Sequence, residues 1–177
     1  LEVFDTIARL IDLRSFSNLW YWIALAAVWS SASHWVLGVP WDMVIRARRK
    51  GGEAAEDLAA MTALNARRLN RIRRDAGFSM SITIPFMLSF LLITGFIYGS
   101  ETAQAFALLL VPMMGVFGLS LRLAHKLDAD PALAHDPTLA IKALSRHRVN
   151  VQAIGVVAII VSALWGMYQN LLASMLV

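Results

Sequence analysis

The sequence predicts an all-α polytopic membrane protein: four transmembrane helices, an N-terminal interfacial amphipathic helix and a helical cytoplasmic cap. Three observations predict it. Hydrophobic residues make up 58% of the 177 positions and the mean hydropathy is +0.61, whereas soluble domains run near half apolar. Four apolar stretches reach the roughly 20 residues that a helix needs to cross ~30 Å of hydrocarbon. Fourteen of the sixteen Lys and Arg fall in just two segments. No shift in composition marks a soluble domain, so residues 1–177 read as one membrane domain.

The opening residues carry no signal-peptide pattern. In LEVFDTIARLIDLR, Val3, Phe4, Ile7, Leu10 and Ile11 share one helical face, and Glu2, Asp5, Arg9 and Asp12 share the other. Residues 1–15 therefore predict an amphipathic helix lying on the outer membrane surface. The alternative is a helix docked on another protein.

The apolar runs place transmembrane helices at 18–38, 78–98, 102–121 and 151–172, with only the short GSET turn between the second and third. Trp20, Tyr21 and Trp22 read as an outer aromatic belt, and Trp35 and Trp41 as an inner one. Pro85 and Pro112 mark kinks. No strand is expected anywhere.

The segment 39–77 holds Arg46, Arg48, Arg49, Lys50, Arg67, Arg68, Arg71, Arg73 and Arg74; the segment 122–150 holds five further cations. By the positive-inside rule both segments are cytoplasmic loops and both termini face out. Pro40 ends the first span, WDMVIRARRK forms a short basic helix, and Gly51 and Gly52 break it. Glu53 to Asp75 predicts a further helix, with Leu58, Met61, Asn65, Leu69 and Ile72 as a narrow stripe for packing on the second loop. There, Asp136 is a candidate N-cap with Pro137 at the first helical position, opening a short helix over Thr138 to Arg148. His125, His135 and His147 read as solvated loop residues. The nine cations of the first loop are candidate contacts for anionic headgroups or a cytoplasmic partner; nucleic acid is not an expected partner.

Catalytic signatures are missing from the sequence: it has no GxxxxGK[ST], HExxH, GxSxG or EF-hand loop. Without cysteine, thiol nucleophiles, disulfides and thiolate metal sites are excluded. The centres of the spans contain no Asp, Glu, Lys or Arg, which weighs against an ion-coupled transporter. Neither catalytic residues nor a cofactor are expected.

What the spans do offer is small residues at helical spacing. Ala26, Ser30, His34 and Gly38, with Ser31 beside them, form one stripe; Gly155, Ala158, Ser162 and Gly166 form another. Such stripes let helices approach closely and read as packing seams, within the chain or between subunits. His34 falls near the cytoplasmic interface, where a hydrogen bond to Ser30 or a neighbouring helix is the favoured role. The alternatives are ligation of a haem or chlorophyll-type metal, or contact with a quinone.

The block RSFSNLWYWIALAAVWSSASHWVLGVPWDMVIRARRKGG, residues 14–52, resembles a small bacterial inner-membrane family labelled "component of SufBCD complex", an iron–sulfur cluster assembly machine. The resemblance implies docking of such a complex to the bacterial inner membrane and implies no catalytic or binding residues. Lacking cysteine, the chain would not itself hold a cluster through thiolates.

Together these features predict a non-enzymatic accessory or scaffold protein that forms a homo-oligomer or joins a larger membrane complex. The alternatives are a homo-oligomeric channel or small-solute transporter, and an insertase-like assembly factor.

Overall fold

The computed structural model describes Phe16 and residues 19–175. The expected interfacial helix at 1–15 lies outside the described residues. The described chain is helical almost throughout: α1 (Leu19–His34), α2 (Trp41–Lys50), α3 (Gly52–Leu92), α4 (Glu101–Ala129), α5 (Pro131–His135) and α6 (Pro137–Met175). Three helical segments are long and apolar enough to cross a membrane: Gly52–Ile97, Glu101–Ala129 and Pro137–Leu172.

The first apolar run is not one helix over 18–38. α1 has 16 residues, about 24 Å at 1.5 Å per residue. The chain then makes a small hairpin of β1 (Trp35–Val36) and β2 (Val39–Pro40), paired antiparallel with Trp35 opposite Pro40. This corrects the expectation of no strand. Leu37 and Gly38 both take positive φ, 55° and 75°, as a two-residue hairpin loop of the primed type requires. Leucine adopts that conformation at a cost, offset here by burial: Leu37 packs with Val36 and Val39 in a core cluster. Asn65 of α3 holds the turn, donating from Nδ2 to the Gly38 carbonyl at 3.1 Å.

The break expected at Gly51 occurs, but the one expected between the helix at 53–75 and the second span does not. The helix expected over 53–75 and the span expected over 78–98 are both parts of α3, 41 residues without interruption. Gly77 falls at their junction, and one glycine costs only about 1 kcal/mol against alanine in a helix. At roughly 60 Å, α3 is about twice the thickness of ~30 Å of hydrocarbon. Likewise the short helix expected over 138–148 runs on into the fourth apolar run as α6. Pro85 and Pro112 lie inside α3 and α4 without ending them. Asp136 does cap α6, its Oδ1 accepting from the Thr138 N–H at 2.8 Å.

α3 ends in a π-helical turn, Ile93–Ile97, and reverses through Gly99 and Ser100 into α4, antiparallel to it. The approach is tight at Gly95, where a Cβ would stand 2.9 Å from the Gln104 backbone nitrogen. Gly95→Ala is accordingly expected to cost about 1–3 kcal/mol through overpacking. The check is the thermal midpoint of the detergent-solubilised protein; an unchanged midpoint would mean that the two helices part freely.

Buried side chains form two clusters. One gathers Phe16, Tyr21, Leu25, Trp29, Ala105, Val116, Val151 and Ala158 among the apolar helix segments. The other joins the hairpin to Val44, Leu58, Ala63, Ala124, Leu127 and Leu144, where the basic segments meet.

Candidate functional site

The seam on α6 is filled from within the chain. Gly155, Ala158, Ser162 and Gly166 are all buried, and aromatic side chains from the start of the chain occupy the space they leave. A Cβ on Gly155 would lie 2.8 Å from the Trp29 ring, and one on Gly166 would lie 3.4 Å from Phe16 and 3.5 Å from Trp22. Between them the Tyr21 hydroxyl donates to Ser162 Oγ at 2.8 Å, with Ser162 fully buried. Tyr21 is thus a packing residue, not part of an interfacial belt; it is 1% exposed. Tyr21, Leu25 and Trp29 are four apart, so one face of α1 carries all three.

The seam on α1 is placed differently. Ala26, Ser30, Ser31, His34 and Gly38 are all exposed. Ala26, Ser30 and Ser31 lie off the Tyr21–Leu25–Trp29 face that meets α6, while Gly38, in the hairpin, is met by the Asn65 side chain of α3. His34 stands edge-on to Trp35, ring centroids 5.7 Å apart. It makes no hydrogen bond among the described residues, so the bond expected for it to Ser30 is not formed. No group of three metal-ligating side chains occurs among the described residues.

Polar side chains that the sequence did not single out tie the helices together. Gln104, 4% exposed, joins three elements. Its Nε2 donates to the Gly95 carbonyl at 2.8 Å, and its Oε1 accepts from Trp165 Nε1 at 2.9 Å and Gln169 Nε2 at 2.8 Å. The indole N–H can only donate, which fixes the orientation of the Gln104 amide. At the other end Asn70 donates from Nδ2 to the Ala124 carbonyl at 3.1 Å and to Asp128 Oδ2 at 2.9 Å. The buried stripe of α3 is Leu58, Thr62, Ala66 and Asn70, with Ala59 and Ala63 beside it. It shares Leu58 with the expected stripe, of which Met61 and Leu69 pack against the core while Ile72 is exposed; its small side chains let α4 approach more closely.

His147 also departs from expectation. It is buried, not solvated, with Nε2 3.1 Å from Ser120 Oγ. Ser120 Oγ also lies 3.0 Å from the Val116 carbonyl, so this hydroxyl ties the imidazole to the α4 backbone.

Compared with protein-family models, curated proteins and solved structures, the chain matches none. Its function therefore has to be read from the geometry.

The basic segments meet at one end of the bundle. Arg48 donates to Ser145 Oγ at 2.6 Å. Arg148 donates from Nε to the Ser33 carbonyl at 3.1 Å and lies over the Trp41 ring, 4.2 Å from its centroid. A cation on the last carbonyls of α1 suits the helix dipole, and the indole adds a cation–π contact. All nine cations from Arg46 to Arg74 are exposed. Arg46 pairs with Asp42 at 3.7 Å on the surface. Beside Pro112, a space of about 290 Å³ between the apolar helices is lined by residues such as Leu92, Phe96, Val111 and Val157, a surface without polar groups for a solute to follow.

Proposed function

We propose that the protein is a non-enzymatic scaffold of the bacterial inner membrane. It crosses the bilayer four times, with both termini on the periplasmic side, and it self-associates or joins a larger membrane complex. The observation that carries this reading is the difference between the two small-residue seams. The α6 seam is occupied by the chain's own aromatics, while Ala26, Ser30 and Ser31 of α1 present a smooth, unfilled face of the kind that another helix packs against. The convergence of fourteen cations on one end of the bundle supports a single cytoplasmic face. A soluble assembly complex, as the resemblance of residues 14–52 implies, would meet the protein at that face.

The chain has no cysteine, so single cysteines can be introduced without background. Ala26→Cys and Ser30→Cys are expected to form disulfide-linked dimers, or links to one partner, on mild oxidation in native membranes. Val157→Cys, exposed elsewhere on the bundle, serves as the comparison. Equal cross-linking at all three positions, or none at any, overturns the scaffold reading.

A further inference from the structure

A groove of about 390 Å³ opens between the end of α4 and the start of α6. Its floor is apolar: Leu119, Leu123 and Leu127 from α4, and Leu139 from α6. Its rim carries three cations, Lys126, Lys142 and Arg146, and none of the lining residues is acidic. All three cations are exposed and none is in an ion pair among the described residues. Helical spacing explains the convergence. Lys126 follows Leu119 and Leu123 on one face of α4, and Leu139, Lys142 and Arg146 share one face of α6.

We propose that this groove binds one anionic phospholipid of the cytoplasmic leaflet, its phosphate held by Lys126, Lys142 and Arg146 and its acyl chains lying on the leucine floor. The assignment rests on the reading that the basic end faces the cytoplasm. Three unpaired cations without a carboxylate select a negative headgroup. The length of the leucine floor along α4 selects an amphiphile over a free anion. Leu119 lies seven residues before Lys126, about 10 Å along the helix axis, so the floor continues from headgroup level towards the hydrocarbon. The cations lie just beyond the apolar run at 102–121 and just before that at 151–172, where two helices cross the same interface. These side chains differ from the nine cations of α2 and α3, which spread over an open surface.

The test uses the full chain, delipidated in neutral detergent, with native mass spectrometry read against added phosphatidylglycerol, phosphatidylcholine or inorganic phosphate. Phosphatidylglycerol is expected to be retained at one molecule per chain in preference to phosphatidylcholine. Each of Lys126→Gln, Lys142→Gln and Arg146→Gln should weaken it roughly fivefold, and the triple variant on the order of 100-fold, as near-surface cations do. Arg67→Gln with Arg68→Gln should leave that one molecule in place. Equal retention of phosphatidylcholine, an unaffected triple variant, or binding of phosphate alone with the same sensitivity to the variants overturns the proposal. Should the triple variant fail to fold, the three single variants carry the same comparison. Lipid bound here without cross-linking at Ser30 leaves this site standing and removes the scaffold; cross-linking without lipid does the reverse.

Discussion

Gly155→Leu is expected to unseat α1 from the bundle and to be among the most destabilising single substitutions in the chain. Its Cβ alone would stand 2.8 Å from the Trp29 ring, and three further carbons have nowhere to go while the indole stays. Overpacking of this kind costs about 1–3 kcal/mol. The upper end applies here because the displaced ring is large and the Tyr21 to Ser162 hydrogen bond, less than two turns along α6, is pried apart with it. Trp29→Ala should cost about 2–3 kcal/mol, below the ~3–5 of a water-soluble core, since lipid tails and not water are the alternative surroundings. The double variant is the decisive case. With the ring gone, the new leucine has room, so the two costs should fall short of adding by at least ~1 kcal/mol, a coupling typical of residues in contact. Unfolding by SDS titration in mixed micelles measures all three. Strict additivity would show that Trp29 and Gly155 do not meet.

Gln104→Leu should have a comparable effect at the opposite end. The substitution keeps most of the volume but removes every partner of the Gly95 carbonyl, the Trp165 indole N–H and one Gln169 amide proton that Gln104 supplies. Polar contacts between membrane helices average only about 0.6 kcal/mol. The larger part of the cost is the desolvation of groups left unpaired, about 1–3 kcal/mol each when buried. Trp165 and Gln169 are only partly buried, so a total of about 2–4 kcal/mol is expected. The signature that separates this from a simple packing loss is spectroscopic. The Trp165 contribution to fluorescence should shift as its N–H loses an acceptor, while Gln104→Glu, which keeps an acceptor oxygen, should preserve it. An unshifted spectrum in Gln104→Leu would mean that the indole is satisfied from elsewhere.

The fold class was legible because hydropathy and charge placement act on whole segments. Where the reading failed, the deciding forces were local and opposed. The hairpin at Trp35–Pro40 sits inside an apolar run that composition cannot tell from helix; only the pairing of a buried leucine and a glycine, both at positive φ, reveals it. The continuity of α3 depends on the weakness of a single glycine, Gly77, as a breaker. Small residues four apart can be found by arithmetic, as at Gly155 to Gly166, but their occupants cannot. Tyr21 reads equally well as a belt aromatic, and only the register of α1 against α6 turns it inward. Gln104 and Asn70 went unmarked because a lone amide near a helix end is ordinarily solvated. A sharper signal was present: each lies on the face carrying alanines three or four residues apart, the face that a close neighbour must cover. His147 was hidden by its basic neighbours, since Arg146 and Arg148 point the other ways and leave the ring between them to face inward.

The hydrogen bond from Tyr21 to Ser162 spans 141 positions of sequence, and this imposes an order of events during synthesis. α1 is made first, yet the groove that receives its aromatic rings does not exist until α6 has been translated. At about 5–20 residues per second, the ribosome needs on the order of 10 s to supply it. Through that interval the hairpin of α3 and α4, whose contacts are near in sequence, can close, while α1 waits with Tyr21 and Trp29 turned to lipid. α6 is therefore the helix that recruits α1, and a chain released before Gly166 would leave α1 unclaimed.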